Sequence, residues 1–324
     1  MAVDVTAFTA LARQEFMEGM IAAHERITPA AYDPFVSNIP STVRVETHTF
    51  MSNIPRLKKF KGYSGGTRLT STPYTVVNDE YRMGPVTVRQ TDLDDDQIGG
   101  YMKQINSMPA AAQRDIGFKI LDKLADGTVD LCFDGSAMFA NSHTIGSGDN
   151  LLTANNASND AVTHYIIALV TTNPVIKPMI FQERESLGSL DTDADTPQAR
   201  KLKEYEYWCD CRFGLAYGYW WDAIHVTITD TPTLAELNTQ VRNIINGFRG
   251  FTLPKGDDQD DALYAHEGWV PDSNNLVLLC NMALAELLQT LATSELIASG
   301  TSGATVTNEY KNKFSVVPTS ALGA

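Results

Sequence analysis

The chain is short of almost everything that marks a reactive site. Four cysteines in 324 residues, Cys132, Cys209, Cys211 and Cys280, make no disulfide framework, and a chain of this length needs none. They predict reduced thiols in a cytoplasmic setting. Cys209 and Cys211 share one face of a predicted strand but have no CxxC or HxxxH partner, which favours structural thiols over a metal site. The six histidines are scattered. There is no phosphate loop and no dinucleotide fingerprint. No apolar run reaches membrane-spanning length, and His164 interrupts Ala161 to Val170. Asp4, Arg13 and Glu15 fall where a signal peptide needs an apolar core, which predicts a soluble, non-secreted chain. Basic charge is also short: 25 Lys and Arg against 39 Asp and Glu, a net charge of −14. That disfavours a sequence-independent nucleic-acid binder working by phosphate neutralisation, though not a protein that encloses nucleic acid.

Two stretches imitate sites. Gly62-Tyr63-Ser64-Gly65-Gly66 matches GxSxG, the nucleophile elbow of a serine hydrolase. That elbow needs a buried strand before the serine and a helix after it; here lysines precede and a strand follows. Asp257, Asp258, Asp260 and Asp261 cluster without the glycine and distal glutamate of a calcium loop. The sequence therefore predicts no catalytic, cofactor-binding or metal residues, and no enzyme.

What is present is architecture. Thr91 to Gly127 reads as a long helix, with Ile98, Tyr101, Ile105, Met108, Ala112, Ile116, Ile120 and Leu124 on one stripe. Asp92, Asp94, Asp95 and Asp96 suit its N-terminus, and Gly127 suits a left-handed C-cap. Pro109 predicts a kink, or a second helix capped by Ser107. Before this spine, Val5 to His24 is an amphipathic helix, and residues 25–42, with three prolines, an extended arm. Alternating runs at 43–50, 69–77 and 81–89 predict strands. Arg56, Lys58, Lys59, Lys61 and Arg68 make the link between the first two basic, the tip of a projecting hairpin suited to an acidic surface on another copy of the chain.

After the spine, 128–152 reads as an irregular surface connection, 161–171 as a short helix, 173–185 as an edge strand and 186–199 as an exposed loop. Tyr205 to Ile228 is aromatic and alternating, and predicts long strands packed on the spine. Thr233 and Glu236 form a capping box for a helix ended by Gly247. Leu276 to Cys280 reads as a buried strand, followed by a helix capped by Asn281 and a strand at Lys313 to Pro318.

Several of these stretches, in this order, resemble one family. Val86 to Gly99 (VTVRQTDLDDDQIG), Leu124 to Thr144 (LADGTVDLCFDGSAMFANSHT), Ile176 to Glu185, Gly214 to Trp221 and the late NLVLLCNMALAELLQTL helix are similar to the major head subunits of Mu-type bacteriophages. The resemblance implies an α+β chain with the tailed-phage (HK97-like) capsid fold. Its parts would be an N-terminal arm (1–42), an E-loop hairpin (43–90), a P-domain (91–150 and 200–229) and an A-domain (151–199 and 230–324). It implies self-assembly of hexamers and pentamers into an icosahedral head enclosing double-stranded DNA. The implied partners are scaffold, portal and decoration proteins, with assembly in the host cytoplasm, residence in the virion and no membrane. An encapsulin-like compartment is the alternative within this fold, and a hydrolase using Ser64 the alternative outside it.

Overall fold

The apolar stripe of the spine becomes α1 (Ile98–Ala125), a 28-residue helix continuous through Pro109 in the computed structural model. The structure describes residues 30–51, 70–89, 91, 98–155, 160–173, 176–191, 201–253, 263–299 and 304–322. Met108, Ala112, Ile116, Ile120 and Leu124 are buried at three- to four-residue intervals, so the stripe faces the core as the period requires. Ile98, Tyr101 and Ile105 lie in the same helix; their side chains fall outside the described residues. So do the four acids before them, the helix of 5–24, the GxSxG stretch and the aspartates of 257–261. Ser107 starts no second helix: its hydroxyl donates back to the Gln104 carbonyl at 2.8 Å. Gly127 is no left-handed cap. It sits in a 3-10 turn, where a Cβ would come within 2.6 Å of the Phe139 ring. The helix end is closed instead by Tyr217, whose hydroxyl donates to the Lys123 carbonyl.

The spine packs on a four-stranded sheet in the order β1 (Val36–Pro40), β7 (Met179–Asp191), β8 (Glu204–Tyr217), β4 (Asp79–Arg89). The sequence reading of 173–185 as an edge strand is corrected. β7 is central, parallel to β1 and antiparallel to β8. Pro178 immediately precedes its first residue, so it removes no ladder hydrogen bond. The loop expected at 186–199 is in part strand, since β7 runs to Asp191. The run at 81–89 does not extend the hairpin: β4 pairs with β8 beside the spine.

A second sheet has the order β15 (Ser315–Thr319), β12 (Leu276–Asn281), β6 (Thr163–Val170), β9 (Ala223–Thr229), β5 (Leu151–Asn155). The helix expected at 161–171 is β6. Its residues from Ile166 to Val170 are all 0% exposed, and a central strand covered on both faces has no period that separates it from a buried helix. α2 (Leu234–Gly250) and α3 (Met282–Thr293) pack on this sheet. The Thr233–Glu236 capping box is formed, but α2 passes Gly247 and ends at Gly250. Asn281 holds the N-cap position of α3 without capping; its amide donates to His164 Nδ1 at 3.0 Å. Only β8 of the aromatic stretch packs on the spine. A break at Gly218 and a 3-10 turn at Trp220–Asp222 send β9 into the other sheet. β4 and β7 thus lie in the spine sheet, and β9 in the other.

Two outcomes follow from this packing. Ile116 is 3% exposed, and Ile116→Asp places an unpaired charge in the core at a cost of several kcal/mol, against a margin of about 5–15 kcal/mol. We expect insoluble or unfolded subunit; a soluble, cooperatively melting variant would contradict the register assigned to α1. His225 on β9 is 4% exposed, and burial lowers its pKa from 6.5 to about 4. Below pH 6.5 the unfolded chain takes up this proton and the native chain does not, so stability falls as pH drops toward 4. The loss between pH 6.5 and 5 is about 2 kcal/mol for this group. Denaturant melts of parent and His225→Leu at both pH values should show the smaller acid loss in the variant; equal losses would refute the assignment.

Candidate assembly surface and the cluster behind it

β2 (Val45–Met51) and β3 (Ser71–Val77) form the hairpin expected from the alternation, in antiparallel register from Val45 opposite Val77 to Met51 opposite Ser71. The period-two pattern sets two faces. One, with Glu46, His48, Phe50, Tyr74 and Val76, lies on the body; Phe50 is 0% exposed. The other carries Val45, Thr47, Thr49 and Met51 opposite Ser71, Pro73, Thr75 and Val77. All eight are exposed and none is charged. The described strands therefore lie docked on the body, and the solvent face is an uncharged, β-branched ribbon on a strongly acidic chain.

Two contacts set the docking. A buried polar chain starts at His48, whose Nε2 is 2.6 Å from Gln182 Oε1 on β7. Gln182 Nε2 donates to Asn78 Oδ1 at 2.8 Å, and Asn78 Nδ2 donates to Ser41 Oγ at 2.9 Å and to the Val43 carbonyl at 2.7 Å. Gln182 and Asn78 are buried, so each bond satisfies a group that would be costly unpaired. Further out, Phe50 stacks on Phe133 at 4.7 Å and meets Tyr219 edge-on at 5.3 Å, while Tyr219 stacks on Trp221 at 4.5 Å. Tyr74 donates to the Leu131 carbonyl at 3.1 Å, and burial pushes its phenol up to about 12.

Behind the aromatic cluster lies the segment expected to be an irregular surface connection. It is irregular but interior. Cys132, Phe133, Asp134, Met138, Phe139 and Asn150 are buried, because side-chain hydrogen bonds substitute for a strand ladder. Asp134 Oδ1 accepts from Cys132 Sγ and the Ser136 N–H, each at 2.9 Å. Its Oδ2 faces His143 Nδ1 at 3.0 Å and accepts the Thr144 N–H at 3.1 Å. Burial alone would raise the Asp134 carboxyl, but hydrogen bonds from His143, Cys132 and Ser136 hold it well below the usual carboxylate range. Burial and the bond to Asp134 push the Cys132 thiol far up. His143 stacks on Trp220 at 3.9 Å with the planes 1° apart. The sequence reading missed this cluster. The signal was C-x-D with a histidine nine residues on, in a stretch whose lack of period says nothing about burial.

The other predicted positions are not brought together. Arg56, Lys58, Lys59, Lys61 and Arg68 lie outside the described residues, as does Ser64. Ile116, Ile120 and Leu124 form the spine core. Cys209 and Cys211 are buried on β8, neither is in a disulfide, and burial raises their thiols to about 11 and about 12, which leaves them inert. Among the described residues, no helix is long and apolar enough to cross a membrane.

Comparison with known proteins places this arrangement. Residues 5–322 match the model of the Mu-like prophage major head subunit gpT family. The chain is 27% identical over 214 residues to the Mu-like prophage FluMu major head subunit of Haemophilus influenzae, covering 64% of this chain and 68% of that one. It is 24% identical over 311 residues to the major capsid protein of Escherichia phage Mu, covering 94% and 93%. Among solved structures, the bacteriophage JBD30 capsid superposes with a TM-score of 0.71 at 17% identity over 91% of both chains. The JBD30 procapsid gives 0.68 at 21% identity over 98% and 99%. The two sheets, the spine and the docked hairpin are thus the capsid fold of tailed phages, and the chain belongs to the Mu-like prophage major head subunit family.

Proposed function

We propose that this chain builds a closed icosahedral head from copies of itself and that the head encloses double-stranded DNA. The match of residues 5–322 to the head-subunit family carries the reading. The hairpin supplies a means. Its outward face of Val45, Thr47, Thr49, Met51, Ser71, Pro73, Thr75 and Val77 is uncharged on a chain of net charge −14, so a second copy can cover it without burying a charge. Self-repulsion of acidic subunits is then offset where the basic residues between β2 and β3 meet a neighbour's acids. An acidic shell also does not adsorb the DNA it holds, which leaves the packaged genome free to move.

The role is structural and involves no catalysis. In the fold, the spine with β1, β4, β7 and β8 forms the peripheral body. The sheet of β5, β6, β9, β12 and β15 with α2 and α3 forms the axial one. Assembly takes place in the host cytoplasm with scaffold and portal proteins, and a decoration protein adds to the finished shell. The JBD30 capsid is itself described with minor capsid protein trimers on its surface.

Replacing Lys58, Lys59 and Lys61 together by glutamate tests the intersubunit contact. The variant subunit should melt with the parent and fail to close shells, with the parent's assembly weakening as salt rises. Normal shells from the variant, with unchanged salt sensitivity, would refute the contact.

A further inference from the structure

The cluster of Cys132, Asp134 and His143 contains a pairing that hydrogen atoms alone explain only in one protonation state. Asn150 fixes the geometry. Its Nδ2 donates to the carbonyls of Met138 at 2.8 Å, Trp220 at 3.1 Å and Ala223 at 3.2 Å, and its Oδ1 accepts the Ala140 N–H at 2.8 Å. That orientation turns Oδ1 toward His143 Nε2 at 3.1 Å, so Nε2 carries a proton and donates. His143 Nδ1 is then left facing the Asp134 carboxylate at 3.0 Å, two acceptors toward one another. A cation must lie between them, either a proton on Nδ1 or a metal ion.

The third group favours the metal. Cys132 Sγ lies 2.9 Å from the other Asp134 oxygen, and the three ligand atoms all fall within 4.8 Å of one another. In a tetrahedral zinc site, bonds of about 2.0–2.3 Å put neighbouring ligand atoms about 3.5 Å apart, so closure needs only small side-chain shifts. Thiolate, carboxylate and imidazole together are a donor set suited to zinc and not to calcium or magnesium, which take oxygen. The outer contacts are those a ligand shell requires. The far nitrogen of the imidazole donates to a side-chain carbonyl, and the carboxylate is held by the N–H groups of Ser136 and Thr144. Charge also balances. Thiol, carboxylate and imidazolium sum to zero; loss of the thiol proton and the Nδ1 proton on uptake of one divalent ion leaves zero again. The swap adds no net charge to side chains of Asp134 and His143 that are 0% exposed.

We propose that Cys132, Asp134 and His143 bind a zinc ion through Sγ, a carboxylate oxygen and Nδ1. The ion would staple the segment that joins α1 to β5, at the point where His143 stacks on Trp220 between the two sheets.

Unassembled subunit, stripped with chelator and then given zinc, should take up about one ion and melt a few degrees higher. Cys132→Ser keeps the size of the side chain and a hydroxyl to donate to Asp134. It should melt with the parent in chelator and show no rise in zinc. No rise in the parent, or an equal rise in both, would overturn the site. Should the variant not fold, cobalt decides on the parent alone: a thiolate-to-cobalt charge-transfer band supports ligation by Cys132, and its absence refutes it.

Discussion

The crossing from β8 to β9 fixes the relation of the two sheets, and most of the molecule leans on it. At Gly218 the backbone passes so close to the Lys177 carbonyl that a Cβ would sit 2.2 Å away. Tyr219, Trp220 and Trp221 then point in different directions from one turn. Tyr219 reaches the hairpin through Phe50; Trp220 reaches the loop after the spine, stacking on His143 and donating to the Ile145 carbonyl at 2.9 Å. His266 closes the far side by donating to the Trp221 carbonyl at 2.7 Å. Three large rings on one short connection bury area that neither sheet could bury alone, which makes the junction rigid. Asp222 ends the turn buried, and desolvation raises its carboxyl well above the usual range.

That rigidity matters for a shell subunit, because curvature is set by angles between subunits and angles are transmitted only by stiff bodies. The hairpin is tied to the same junction. Its root is held by hydrogen bonds from Gln182 through Asn78, and its outer end by the aromatic cluster on Tyr219. A load on β2 and β3 therefore reaches both sheets at once. We see in this a physical route from a surface contact to the relation of the two bodies.

Much of the fold was legible in the sequence wherever a segment buries one face. The spine, the capping box of α2, the alternation of β2 and β3 and the strand at Leu276 all carry a clean period or a local hydrogen-bond signature. Failures occurred where both faces are covered or where none of the backbone is regular. β6 is buried on both faces, so 161–171 looked helical; β7 lies between two strands, and the prolines before it looked like an edge. The segment 128–150 has no period at all, yet its side chains supply the hydrogen bonds that bury it. Asp134 and His143, nine residues apart, meet only because Asn150 and Trp220 hold the loop closed, and no pattern of types reports that. The sheet assignments of β4 and β9 were hidden for a different reason: pairing partners far apart in sequence leave no local trace.

The central claim is that copies of this chain form the wall of a closed shell and cover one another's hairpin face. Electron microscopy of the purified protein, concentrated at near-physiological salt, measures that most directly. The account predicts closed particles of icosahedral symmetry, with β2 and β3 of each subunit covered by a neighbour. Protein that forms only open sheets, or particles in which the hairpin face stays uncovered, would contradict it.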